Sequence, residues 1–228
     1  MHSYTYLLVN LSCIAIPLIA SFYPKHPFYK DWSAFLKGNI LTATLFIAWD
    51  AMFTQMGIWG FNKHYLIGFQ IGNLPLEEIL FFICIPFACV FSYFALKHLI
   101  KQNPLEKIQH SITLILIVVF LLLAIFNYNK LYTSVTCLST SLYLSFLSIK
   151  KVNLSYYYLA FLFVLPFFYL SNGILTGSLL VNPIVWYNDA ENLGFRISNI
   201  PIEDSIYGLL LIFMNINFYT YFKAKKST

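Results

Sequence analysis

Seven apolar runs, each near the length of a membrane crossing, constrain this chain more than any other feature of its sequence. They cover residues 4–22, 39–59, 77–99, 112–126, 131–149, 155–175 and 204–222. A helix needs roughly 20 predominantly apolar residues to cross the hydrocarbon of a bilayer. Backbone groups in lipid must be satisfied within the segment, so such runs are expected to be helices. The fourth run is the shortest, although its centre, 114–123, is wholly apolar. Composition points the same way: 59% of the 228 residues are hydrophobic and 10% charged, too little charge to cover a soluble surface. No stretch is long and polar enough to form a separate soluble domain. The fold class expected is all-α, a polytopic transmembrane bundle of about seven helices. The first run could be mistaken for a signal peptide, but Met1-His2-Ser3 before it carries no Lys or Arg, so retention as a helix is expected.

The basic residues sort by side. Eleven of the fourteen (Lys25, Lys30, Lys37, Lys97, Lys101, Lys107, Lys150, Lys151, Lys223, Lys225 and Lys226) fall after the first, third and fifth runs and in the tail. Lys63, Lys130 and Arg196 fall on the other side, with six of the nine acids. Basic residues accumulate in cytoplasmic loops. The expected protein is therefore a multi-pass membrane protein with its amino terminus outside and its carboxyl terminus in the cytoplasm. Charges spread over short loops in this way are topology signals, and no nucleic-acid partner is expected. Cys13, Cys84, Cys89 and Cys137 all lie in apolar stretches without a CxxC pair, and His64, His98 and His110 supply no ligand spacing, so no metal site is expected.

Self-comparison reveals an internal repeat. Residues 67–78, IGFQIGNLPLEE, align without gaps on 193–204, LGFRISNIPIED, with six of twelve positions identical and four more Leu/Ile or Glu/Asp exchanges. The offset of 126 also carries the first run onto the fifth and the third onto the seventh, while the sixth is out of register against the second. Two three-helix units are expected, 1–104 and 130–228, joined by a linker helix within 105–129. Three helices end on the wrong side of the membrane, and a fourth restores it, so the repeats are parallel and can enclose one site between them.

In each unit a proline opens a helix and two acids follow: Glu77 and Glu78, then Glu203 and Asp204. Proline is favoured at a helix start, and acids there are stabilised by the helix dipole by ~0.3–1 kcal/mol each, so one such motif needs no function. Its duplication together with the upstream Gly-Phe-x-Ile-x-Asn exceeds what a cap requires. Paired carboxyls at a membrane boundary are suited to acid–base chemistry, and also to ion or proton transport. Asp50 stands well inside the second run, where an acid costs about 2.5–3.5 kcal/mol and demands a partner. Asn172 is a candidate for the related role in the second unit. Trp59 and Trp186 precede the two prolines by sixteen and fifteen residues and read singly as interface tryptophans.

At these residues the chain resembles the integral-membrane lycopene cyclases, found in bacteria and archaea as two subunits or one fused chain, and in fungi joined to phytoene synthase. The resemblance covers nearly the whole chain. It is carried by Trp49-Asp50, Gly57-Ile58-Trp59 and the segment 74–82 in the first half, and by 172–176 and 194–208 in the second. With no phytoene synthase segment following, the stand-alone fused form is expected. The resemblance implies a carotenoid (lycopene) cyclase that forms β-ionone-type rings from acyclic end groups by proton-initiated, redox-neutral cyclisation within the membrane. That is an isomerase or intramolecular-lyase activity, and stoichiometry requires no redox cofactor. The implied substrate is a lipid-soluble carotenoid, of lycopene length or the longer C50 class, and contact with other carotenoid-pathway enzymes is left open. Glu77, Glu78, Glu203 and Asp204 are the implied catalytic set, with acid and base unassigned. Asp50, Trp59, Asn172, Trp186 and Arg196 are the implied substrate-binding residues.

Two rivals are weighed on residues. A small seven-helix transporter with parallel repeats remains the alternative, although no Pro-Gln pair occurs within any run. A retinal protein would need a lysine in the last run, and 204–222 holds none.

Overall fold

The computed structural model describes residues 2–226; Met1, Ser227 and Thr228, at the outer limits of the two expected units, lie outside the described residues. The chain is a bundle of seven α-helices among those residues: α1 Thr5–Ala20, α2 Trp32–Gln55, α3 Leu76–Leu99, α4 Gln109–Phe126, α5 Leu131–Ile149, α6 Ser155–Leu175 and α7 Ile202–Lys226. Every expected run carries a helix. α2 begins seven residues earlier than its apolar run, and α7 continues to Lys226, so three lysines lie in its last turn, away from its centre.

By length and composition α3, α4, α6 and α7 are long and apolar enough to cross a membrane, and α1 is a shorter apolar helix. Several polar residues of α2 and α5 are turned inward: Asn39, Thr42 and Asp50 on α2, and Thr133, Thr136, Thr140 and Ser141 on α5, are all buried. These helices present apolar side chains outside, such as Ile40, Leu41, Leu45 and Leu142.

Packing interlocks the two halves. α1 lies on α3 and α5 on α7, the same pairing in each unit. The middle helix of each unit crosses over: α2 packs chiefly on α7, and α6 on α3. Gly38 permits the first crossing, since a Cβ there would stand 2.9 Å from the backbone nitrogen of Tyr219. Asn39 then pins three helices, donating to the Phe82 carbonyl at 2.9 Å and to the Asn215 side chain at 3.0 Å. α4 packs on α5 and covers the outside of the second unit.

The all-α expectation omitted three short antiparallel pairs. β2 (Gln70–Ile71) pairs with β3 (Leu74–Pro75), and β5 (Arg196–Ile197) with β6 (Ile200–Pro201), forming one hairpin before each acidic motif. The third pair joins the units: β1 (Trp59–Phe61) runs antiparallel to β4 (Val185–Tyr187), with Gly60 opposite Trp186. Beside it Asn62 N–H donates to the Ile184 carbonyl, and Asn188 N–H to the Ile58 carbonyl, each at 2.8 Å. Adding the repeat offset to one bond generates the other. A local two-fold axis therefore passes between Gly60 and Trp186.

Candidate active site

The hairpins set the acids. Leu76 N–H closes on the Phe69 carbonyl at 3.0 Å, and Ile202 N–H on that of Phe195 at 3.1 Å, so each chain turns into its helix in the same way. The adjacent acids of each motif then part. Side chains one residue apart on an α-helix diverge by roughly 100°, and only one of each pair faces the space between the units.

Glu77 and Glu203 turn back to their own loops. Glu77 Oε1 accepts from Ile67 N–H at 2.6 Å, and Glu203 Oε1 from Leu193 N–H at 2.7 Å and the Thr133 hydroxyl at 2.6 Å. Both are fully buried. Each clasps the loop ten residues upstream and supplies an acceptor to a backbone donor that would otherwise be unsatisfied.

Glu78 and Asp204 face inward. The Tyr6 hydroxyl donates to Glu78 Oε2. Tyr132, its equivalent in the second unit, donates to Asp204 Oδ1 at 2.5 Å. Asp204 Oδ2 accepts from Asn172 at 2.7 Å and from the Tyr187 hydroxyl at 2.8 Å. From α2, Asp50 presents its carboxyl beside that of Glu78. Asp50 Oδ1 accepts from the Trp59 indole and, at 3.2 Å, from Thr54, while its buried Oδ2 has no donor among the described residues. Asp50 and Asn172 thus each flank the inward acid of their own unit. Tyr207 neighbours Asp50, Glu78 and Asp204 together.

Aromatic rings surround these carboxyls. Trp59 lies 5.1 Å from Tyr132 and 6.3 Å from both Tyr187 and Tyr207. Trp49 and Phe46 pack on Tyr207 at 5.1 and 5.0 Å, and Tyr132 stacks on Tyr187 at 5.9 Å. Burial, and then the neighbouring Asp204, hold the Tyr187 phenol well above the usual tyrosine range, so it remains a donor. On the bundle's flank a groove of about 390 Å³ opens between α2, α5 and α7, and Phe46 and Trp49 form the wall it shares with Tyr207. The arrangement can hold, give and accept a proton within an aromatic enclosure.

Two candidates stand away from this cluster. Trp186 is 43% exposed and lies over Gly60, where a Cβ would stand 2.4 Å from its ring. The repeat equivalent of Trp59 is Val185, so the two tryptophans are not partners by symmetry. Arg196 pairs with Asp189, donates to the Asn199 carbonyl at 2.7 Å and braces the loop beneath the Tyr187 ring. The hydrogen bond from Arg196 to Asp189, aided by one from Asn192, holds the Asp189 carboxyl below the ordinary aspartate range. The carboxyls instead meet four tyrosines that motif reading missed. Tyr6 and Tyr132 are identical at the repeat offset, a signal present in the sequence. Tyr187 and Tyr207 align with Phe61 and Phe81 and carried no such signal.

Among the described residues no group of three or more His, Cys, Asp or Glu could hold a metal ion. The four cysteines are free thiols; all but Cys13 are buried.

The lycopene cyclase family model matches the chain twice, over residues 3–96 and 129–222. A bifunctional lycopene cyclase/phytoene synthase of Pyrenophora tritici-repentis (strain Pt-1C-BFP) is 29% identical over 82 residues, which is 35% of this chain and 14% of the fungal protein. The match thus spans about a seventh of that relative's length. No solved structure matches the chain. The two family matches begin and end 126 residues apart, the same separation that relates Tyr6 to Tyr132 and Glu78 to Asp204, and on this repeated match over most of its length the chain belongs to the lycopene cyclase family.

Proposed function

We propose that the protein closes rings on acyclic carotenoid end groups, within the bilayer, by proton-initiated and redox-neutral cyclisation. The observation that carries this reading is the convergence of Asp50, Glu78 and Asp204, drawn from both units, inside a shell of Trp and Tyr rings. A carboxylic acid adds a proton to C2 of the end group and leaves a cation at C1. The C5=C6 pair attacks C1, closing the ring and moving the cation to C5. Loss of the C6 proton to a carboxylate restores a double bond. Substrate and product are isomers, so no electrons are exchanged with a cofactor.

An alkene is a weak base, and the cation must be stabilised where it forms. Carboxylates and aromatic faces do this most effectively away from water. The groove between α2, α5 and α7 supports entry from the membrane, since its apolar lining leads along Phe46 and Trp49 to Tyr207. The distribution of basic residues supports an external amino terminus, with the carboxyl cluster at the outer end of the bundle.

Expression in a lycopene-accumulating bacterium, with pigments resolved by chromatography, tests the activity. Cyclised product is expected without any partner protein. Unchanged lycopene in cells whose membranes hold the folded protein would sink the reading.

A further inference from the structure

We propose that Asp50 and Glu78 together hold the proton that starts ring closure, and that Asp204 takes the proton that ends it. The assignment rests on the cyclase reading above and divides labour that the duplicated motif leaves symmetric.

The two halves of the cluster differ in their donors. Asp204 receives three, from Tyr132 on α5, Asn172 on α6 and Tyr187 on β4, at 2.5, 2.7 and 2.8 Å. A carboxylate ringed by donors is stabilised as an anion and keeps acceptor capacity for a proton. Asp50 and Glu78 instead lie side by side, both buried, with Asp50 Oδ2 lacking any donor among the described residues. Two adjacent buried anions repel, and a buried acceptor without a donor is costly. A single proton held between the two relieves both. Asn172, which flanks Asp204 as Asp50 flanks Glu78, is an amide with no acidic proton to share, so it makes no such pair with Asp204.

The steps balance. The pair gives its proton to C2, the C5=C6 electrons form the C1–C6 bond, and Asp204 removes the C6 proton while the C6–H bonding electrons form the new C5=C6 double bond. The pair is then one proton short and Asp204 one proton rich. Tyr187 donates to Asp204 and Tyr6 to Glu78, and return of the proton from Asp204 to the pair closes the cycle.

The test uses membranes of wild type, Asp50→Asn, Glu78→Gln, Asp204→Asn and Asp204→Glu at matched levels of folded protein, incubated with lycopene in D2O. Ring isomers and deuterium in recovered lycopene are measured. Asp50→Asn and Glu78→Gln should lower ring formation by about 10²–10⁴-fold, without changing the position of the ring double bond and without labelling recovered lycopene. Asp204→Asn can protonate but not finish, so its recovered lycopene should carry deuterium at the end groups. Asp204→Glu, with a displaced base, should shift the ring double bond, because the C5 cation can also lose a proton from C4 or from its methyl group. Labelled lycopene from either acid variant, unlabelled lycopene from Asp204→Asn, or unshifted rings at the wild-type rate from Asp204→Glu would each overturn the assignment. A wild type that forms no rings overturns the cyclase reading itself.

Discussion

Tyr132 reaches Asp204 at 2.5 Å across 72 residues of sequence, and Tyr6 crosses the same 72 residues to reach Glu78. Each unit thus supplies, from its first helix, a phenol for the inward acid of its third. The supports differ, since Asp204 has two further donors whereas Glu78 has the Asp50 carboxyl beside it. Tyr6→Phe is therefore expected to harm ring formation more than Tyr132→Phe. A hydrogen bond to a charged group contributes about 1.5–3 kcal/mol, and the remaining donors of Asp204 should offset part of that loss. Side-by-side turnover of the two variants at equal protein level checks the order, and a larger loss in Tyr132→Phe would contradict it.

Glu77 and Glu203 clasp loops, so their glutamine variants should keep turnover near that of the wild type once folded. The amide oxygen still accepts from Ile67 or Leu193 N–H, and the stability loss should stay within about 1 kcal/mol, the scale of the dipole and charge effects removed. Thermal denaturation in detergent and pigment analysis measure the two effects. A collapse of ring formation in well-folded Glu77→Gln would restore that residue to the chemistry.

The flank groove makes a steric prediction. Leu142 lines it and is exposed on the outside of α5, so Leu142→Trp should fill the groove without disturbing the core. Turnover at low lycopene should fall several-fold, while the thermal midpoint stays unchanged. An unaffected rate would remove the groove from the substrate's path.

The Arg196–Asp189 pair should stabilise the loop between β4 and α7 in a pH-dependent way. The folded-state carboxyl is held below the ordinary aspartate range, so its contribution is present above the unfolded value and is lost as pH falls through the folded one. The pair is exposed, and ~0.2–1 kcal/mol is the scale for such contacts. Wild type should therefore exceed Arg196→Ala in thermal midpoint at neutral pH, with the gap closing in acid. A gap that widens on acidification would reverse the sign.

Orientation is open to cysteine labelling in a background lacking the four native thiols. A cysteine at Asn182, in the α6–α7 loop, should react with an impermeant reagent from outside, and one at Gln102, between α3 and α4, only after the membrane is opened. The opposite pattern would invert the topology.

Hydropathy, the repeat and the place of the acids at two helix starts were all written in one dimension. Span length follows from bilayer thickness, and a duplication survives as a constant offset whatever the packing. Those features determined the seven helices, the two repeats and the family. Which member of Glu77-Glu78 or Glu203-Asp204 faces inward was not legible, because adjacent residues share their chemistry and differ only in direction around the helix. Nor was the service of Asp50 to Glu78, which depends on how deep α2 sits against α3, or the placing of Trp186 over Gly60, which depends on the strand register between β1 and β4. Helix rotation, depth and strand register are properties of contacts between distant segments. Only the packed tertiary structure decides them, and with them which carboxyls meet.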